Sequence, residues 1–379
     1  MWLREQTKSK SIIKQLIREY YSRKPLEEPS YLHKREVALE SLEDSAYIRH
    51  LSFPYMENLY NYILNYKTPL HLYYSSAMYA HPSAQRMEDK LWEGSELLFD
   101  IDADKYPECS TKYWICPDTG EIYESEVEKC KSGSNPLEYV NVPWSCIEKA
   151  WEEALKLVDI LSEDLGFKDI KVYFSGNRGF HVKVFDSRAL HLSKDARKAI
   201  AEYVSCTGLL PEKVMPEHKG KVIFTSTEHG LRNRVLRELL KRGLGELKPS
   251  FKGLRNVYVV DAKAAWDVLR EVCVEVDKAV TMDISRLSRF GKSLNMKSGL
   301  RTLELNKNKE ITSLGYNSFS PYAGVIRLKP LVTAKLPVLD KQVELVRGGE
   351  LKLEAYLAIY LIAKGVALPT DVRDLEVRA

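Results

Sequence analysis

The hexapeptide Leu97-Leu98-Phe99-Asp100-Ile101-Asp102 is a short apolar run punctuated by two acids, and it reads as a β-strand. On a strand, side chains at i and i+2 project from one face, so Asp100 and Asp102 point the same way. Ile101 points into the core, and strict alternation puts Leu97 with it and leaves Leu98 beside the acids. Two carboxylates this close repel and raise each other's pKa unless a cation intervenes. A divalent cation of the Mg²⁺ or Mn²⁺ kind answers that repulsion, because hard cations take carboxylate oxygens. The competing reading is a solvated edge strand with acids on its wet face, since a bare Asp-x-Asp is common by chance.

Beyond this strand, Tyr106–Pro143 carries Pro, Gly and Ser throughout and reads as irregular. Cys146–Leu165 then shows an amphipathic helical stripe of Ile147, Ala150, Trp151, Ala154, Leu157, Val158 and Leu161, with Gly166 as its stop. Lys171–Phe174 is the next strand, and it runs into Ser175-Gly-Asn-Arg-Gly-Phe-His181. Two glycines let a backbone approach a ligand closely and expose peptide N–H groups. Ser175, Arg178 and His181 add donors suited to phosphate oxygens, and an arginine can grip two oxygens at once. The plainer alternative is a glycine turn with an incidental arginine. Farther on, Asp277 precedes the basic set Arg286, Arg289, Lys292 and Lys297. If that stretch is helical, Arg286 and Arg289 share a face, and an acid ahead of such cations suits a site holding metal and polyphosphate together. An ordinary salt-bridged surface helix would look the same.

Upstream, Ser11–Tyr21 has helical apolar spacing closed by Pro25 and Pro29, and Glu36–Phe53 has β-like pieces, the best at Tyr47-Ile48-Arg49. Downstream, Ser193–Val204 opens a mostly helical block to Val272, Val325–Leu328 is strand-like, and Glu350–Ile362 is an apolar helix. The order predicts an α/β (α+β) fold, with a core over 1–190 and 273–379 and a helical insertion subdomain over 191–272. The 379 residues suffice for one large domain with an insertion or for two domains, and 44% hydrophobic with 29% charged residues makes a packed core feasible. A net charge of +4 does not by itself indicate nucleic acid; the distribution says more. Ten Lys/Arg face three Glu between His218 and Arg255, which suits phosphate backbone or, equally, solvated helix faces. No apolar run is long enough to span a bilayer and no secretory signal opens the chain, so the expected location is cytoplasmic and reducing, with no membrane partner. The six cysteines, at 109, 116, 130, 146, 206 and 273, are then expected to be thiols or metal ligands rather than disulfides.

Taken together, Phe99-Asp-Ile-Asp102, Ser175-Gly-Asn-Arg-Gly-Phe-His181 and Val276-Asp277 ahead of Arg286-Leu-Ser-Arg289 resemble the small, catalytic subunit of archaeal/eukaryotic-type DNA primases. Arg35-Glu36 and Tyr47-Ile48-Arg49 look like that family's N-terminal motifs, so the likeness spans about residues 10–305. The resemblance implies the primase catalytic fold and synthesis of short primers on single-stranded DNA from nucleoside triphosphates (NTPs or dNTPs). It implies two catalytic Mg²⁺ or Mn²⁺ ions on Asp100, Asp102 and Asp277. It also implies nucleotide contacts from Arg49, Ser175, Arg178, His181 and Arg289, with Lys292 added as a further cation. Relatives carry a zinc module after the Asp-x-Asp strand; Cys109, Cys116 and Cys146 match its ligands in context, and Cys130 is the natural fourth thiolate, giving a zinc loop over about 105–146. A structural Zn²⁺ and a large-subunit partner in a heterodimer follow from the same likeness; the apolar Leu351–Ile362 helix is one candidate for that interface, with core packing the plainer alternative, and Lys219–Arg255 is a candidate template contact. Cys206 and Cys273 are expected to be buried thiols. Two departures stand out: Asn177 where many relatives have a second Arg, and Asn295 where they often have His. The competing functions are a polymerase that extends without initiating and a non-catalytic nucleic-acid-binding subunit.

Overall fold

The computed structural model describes every residue except Met1, Ser45, Lys252, Gly253, Lys309, Glu310 and Ala379. The strand expected at Leu97–Asp102 forms, and it lies at the edge of a four-stranded antiparallel sheet ordered Leu303–Leu305, Ile170–Phe174, Gly179–Val184, Leu97–Asp102. Its two faces differ sharply. Leu97, Phe99 and Ile101, with Phe180, Val182 and Val184, are buried beneath the helix Trp144–Asp159, whose Trp151 ring meets Phe180 at 5.3 Å. Burying side chains of this size stabilises by roughly 1.5–3 kcal/mol each, and a one-residue slip would turn all of them to the polar side. The stripe read from sequence, Ile147 through Leu161, is buried as expected, and Gly166 ends the helix at φ +72°. The other face carries Leu98, Asp100, Asp102, His181 and Lys183.

That polar face looks across to a second, six-stranded antiparallel sheet built on Pro69–Ser75. Val37–Ser41 and then Ala46–Leu51 pair on one side; Leu287–Arg289, Leu294–Asn295 and Leu300–Arg301 complete the other. The Lys183 ammonium ties the two sheets, donating to the Tyr74 hydroxyl and the Arg289 carbonyl at 3.1 Å each. Arg286 and Arg289 do not share a helix face: Arg286 closes a turn on the Asp283 carbonyl, and Arg289 lies in the strand Leu287–Arg289, which pairs with Tyr73–Ser75. The sheets described here are antiparallel, which places the fold on the α+β side of the expectation.

Several sequence expectations differ from the structure. Residues 106–143 are not irregular: Glu121–Tyr123, Thr111–Cys116 and Leu137–Asn141 form a three-stranded sheet, too short and broken by turns to show periodicity. Cys109, Cys116, Cys130 and Cys146 form two disulfides, Cys109–Cys146 and Cys116–Cys130, with Cα atoms 5.6 and 5.8 Å apart. Their sulfurs are consumed, so the structure holds no tetrathiolate set for zinc, and no step is assigned to that metal. Cys206 and Cys273 are likewise bonded to each other rather than free. Last, the insertion is not helical alone. Glu217–His218, Lys221–Thr225, Leu254–Asp261 and Glu246–Phe251 form an antiparallel sheet under the helices Gly230–Lys241 and Ala262–Val272. It has its own core, including Met215, Phe224, Val235, Leu239, Val260 and Val268, whereas Ala201 and Val204 of the preceding helix belong to the main one. The insertion therefore begins near Cys206, where the disulfide to Cys273 and a Val274 N–H to Val204 carbonyl bond of 2.8 Å close its neck.

At the C-terminus, Leu351–Glu354 is a strand and only Ala355–Ala363 is helical. Every residue from Ala355 to Ile362 is buried, as an all-round apolar helix must be, so this segment is core and not a docking surface. No helix among the described residues is long and apolar enough to cross a membrane.

Candidate active site

Strand register assembles the site. Asp100 pairs opposite His181 and Asp102 opposite Gly179, so the acids and the hairpin Ser175–His181 share one edge. Gly179 permits this closeness: a Cβ there would meet the Ile101 carbonyl oxygen at 2.1 Å. Gly176 turns at φ +77°, and a Cβ on it would press the Asn295 side chain at 2.9 Å. Asn295 is a structural member here, donating from Nδ2 to the Ser175 carbonyl at 3.1 Å. Asp100, Asp102, Ser175, Arg178, His181 and Arg289 line one cleft of about 230 Å³ between the two sheets. Tyr73, Leu98, Asn177, Val280, Arg286, Leu287, Asn295 and Lys297 complete its wall.

The acids are not neutralised. Burial, then the Asp102 and Asp277 charges, push the Asp100 carboxyl up to about 7; burial likewise raises Asp102, against the pull of Arg178. The nearest counterpart of Asp100 is His181 Nε2 at 3.6 Å, and the Asp102 side chain has no hydrogen bond or ion pair among the described residues. His181 itself is neutral, since burial and the nearby Lys183, Arg289 and Arg286 push its pKa down to about 3, and its Nδ1 is buried without a partner. Arg178 reaches Asp104 at 2.9 Å. Arg289 is buried, donating to His71 and Tyr73, neither of which is anionic.

Three expected members stand apart. The Asp277 backbone N–H meets the Asp100 carbonyl at 3.3 Å, but its Oδ1 caps the short helix Lys278–Met282 by accepting from Ala279 and Val280. Among the described residues no three His, Cys, Asp or Glu side chains converge as a metal group. Arg49 is held by Glu36 at 2.8 Å, away from the cleft wall. Lys292 is outside the wall as well; its backbone bonds to Tyr20 and Thr302. Sequence reasoning missed Tyr73, His71 and Asp104. The alternation of Leu70-His-Leu-Tyr-Tyr74 marks a strand but gives no sign that its polar face meets Arg289.

The donor set suits a hard divalent cation that keeps several waters and takes only one or two carboxylates from protein, the rest from substrate phosphate. Asp100 and Asp102 are the carboxylates that could serve such an ion, and the unbalanced Arg289 is a group that could take phosphate charge.

Comparison with known proteins points one way. A sequence family described as DNA primase small subunit matches residues 145–306. The chain is 45% identical over 368 residues to the DNA primase small subunit PriS of Staphylothermus marinus, covering 96% of both. It is 38% identical over 364 residues to that of Saccharolobus islandicus, covering 94% of each, and 32% identical over 357 residues to that of Sulfolobus acidocaldarius, covering 93% of this chain and 94% of the relative.

Proposed function

The chain belongs to the DNA primase small-subunit family, and from that premise we propose that the cleft at Asp100 and Asp102 carries out two-metal nucleotidyl transfer. The chain is a catalytic primase subunit, a DNA-directed nucleotidyltransferase. The observation that carries the mechanistic reading is the uncompensated acid pair facing an uncompensated buried arginine across one cleft.

In this reading Asp100 and Asp102 would hold the divalent cations, and Asp277 would join them from the neighbouring helix cap. Bound there, the two ions would lower the pKa of a ribose 3′-hydroxyl and neutralise the departing pyrophosphate. The protein's own groups position the nucleotide. Arg289 and Arg178 donate to triphosphate oxygens, neutral His181 offers a single N–H, and the Ser175–Arg178 turn brings its backbone close. Lys297 and Arg286, on the same wall, add positive potential. Arg49, tied to Glu36, is assigned an indirect part in nucleotide binding; Lys292 receives none. A large-subunit partner in a heterodimer, a single-stranded DNA template and a cytoplasmic setting belong to the same proposal.

Synthesis of a radiolabelled dinucleotide by the purified chain on single-stranded DNA, with Mn²⁺ and NTPs, tests it. Asp102→Asn should reduce synthesis on the order of a thousandfold while leaving the melting temperature unchanged or higher, since a repulsive charge is removed. Near-normal turnover by this variant would falsify the metal assignment, and extension of a supplied primer without dinucleotide synthesis would favour the non-initiating polymerase.

A further inference from the structure

Arg289 is held at two of its three guanidinium nitrogens by one strand. Its Nη1 lies 3.2 Å from His71 Nδ1, and its Nη2 donates to the Tyr73 hydroxyl at 3.1 Å, with the Tyr73 ring centre 4.8 Å from the guanidinium carbon. His71 and Tyr73 are two apart on Pro69–Ser75 and so share a face. Register fixes the rest: Arg289 pairs opposite Tyr73, and His71 lies between Asn295 on one side and Glu40 on the other.

A guanidinium has donors only and stays protonated, so the 3.2 Å contact requires a lone pair on His71 Nδ1. The ring proton then sits on Nε2, which faces a Glu40 carboxylate oxygen at 3.8 Å. The surroundings enforce this neutral form: burial first, then the Arg289 and Lys297 charges, push the pKa of His71 down to about 3. A protonated imidazole would instead set like charge against Arg289. Two of the five guanidinium N–H groups are thus spent on the strand, leaving the others for the cleft that Arg289 lines.

We infer that His71 is a positioning residue for the incoming nucleotide, holding the Arg289 fork through its unprotonated Nδ1 so that the remaining donors meet the triphosphate. His71 touches neither substrate nor acid pair; it acts through Arg289, fixing in advance a side chain that would otherwise lose rotamer freedom on binding. The inference rests on the reading of Arg289 as a triphosphate ligand.

The test is a double-mutant cycle on the full chain, titrated with ATP in Mn²⁺ and followed by steady-state primer extension. His71→Ala should raise the ATP dissociation constant and KM about tenfold with kcat changed less than about twofold. His71→Asn, whose side-chain oxygen replaces Nδ1 as acceptor, should recover most of that loss at an unchanged melting temperature. With Arg289→Ala already present, His71→Ala should cost almost nothing more, because its only route to the nucleotide is gone. Wild-type affinity in His71→Ala, equal weakness in His71→Asn, or additive losses in the double variant each overturn the inference while leaving the triphosphate reading in place. Unchanged ATP affinity in Arg289→Ala overturns that reading, and the inference with it.

Discussion

The cleft and the insertion each use a four-stranded antiparallel sheet backed by helix, in the cleft faced by a second sheet of six strands, yet they treat charge in opposite ways. In the insertion, cations are dense and paired. Lys221, Arg232, Arg234, Arg237, Lys241, Arg242 and Lys248 all meet carboxylates, for example Arg232 with Glu228 at 2.7 Å and Arg234 with Asp164 at 2.9 Å. Lys252, part of the same basic run, lies outside the described residues. In the cleft two charges lack a counter-ion, although Arg178 pairs with Asp104: the Asp102 carboxylate has no partner among the described residues, and the Arg289 guanidinium donates to a neutral imidazole and a phenol. The lesson is that charge left unbalanced, rather than charge density, marks the place where a ligand completes the structure. Template contact by the Lys219–Arg255 run would have to compete with ion pairs already made.

The largest expected effect tests whether the insertion stands as a separate unit. Removing the neck disulfide with Cys206→Ser and Cys273→Ser, whose sequence separation is 67, should cost roughly 4 kcal/mol of stability by loop-closure entropy. The loss should appear as earlier melting of the insertion by hydrogen exchange. The same preparation checks the cysteine pairing, since the unfolded, unreduced wild-type chain should show no free thiol and bind no stoichiometric zinc. Four titratable thiols with one zinc per chain would restore the metal loop and overturn the two pairings at Cys109–Cys146 and Cys116–Cys130.

Next in size, Arg289→Ala should weaken ATP binding by about 2–4 kcal/mol, since it removes a charge-assisted contact, while affinity for single-stranded DNA changes little. Loss of DNA affinity with ATP binding intact would reassign the cleft to the template.

A smaller effect belongs to Lys183, buried among Tyr74, Tyr173, Arg35, Glu27, Glu96 and Glu304. Burial pushes its pKa down to about 8, against the pull of Glu96 and Glu27. Between that value and the ordinary value of about 10.4, the unfolded chain binds a proton that the folded chain has shed, so this group makes stability rise with pH across the window. Lys183→Met should abolish that rise relative to wild type in denaturant melts between about pH 8 and about pH 10. A parallel pH dependence in both proteins would place the titration elsewhere.

The smallest effect is the converse test in the insertion. Arg242→Ala, which breaks surface pairs with Glu238 and Glu271, should leave both stability and ATP affinity almost unchanged. A tenfold loss of DNA affinity from this one change would show that the paired cations are still available to a template.

Much of this was legible in sequence, for physical reasons that vary by segment. Leu97–Asp102 and the 146–161 stripe carry strong periodicity, because each buries one whole face, and both were placed correctly. The hairpin Ser175–His181 was legible because its glycines are demanded by close strand pairing. What could not be read was partnership across the fold. Nothing local distinguishes Lys292, outside the cleft wall, from Lys297 on it, five residues on. The sheet at 111–141 and the strands of the insertion are short, with alternation interrupted by turns and charges, so helix-forming neighbours dominated the pattern. The cysteines misled because a reducing setting was assumed, and spacing alone does not tell a disulfide from a metal ligand.

The neck has a mechanical meaning. Only three residues, Val274 to Val276, separate Cys273 from Asp277, whose backbone is pinned to Asp100. Any tug on the insertion, from a moving strand of nucleic acid or from a neighbouring protein, travels along that short tether toward the acid pair. The Cys206–Cys273 bond and the Val274–Val204 hydrogen bond lie ahead of Asp277 on the path. Like a strain relief on a cable, they would divert part of such a load into the helix Lys194–Val204 before it reaches Asp277.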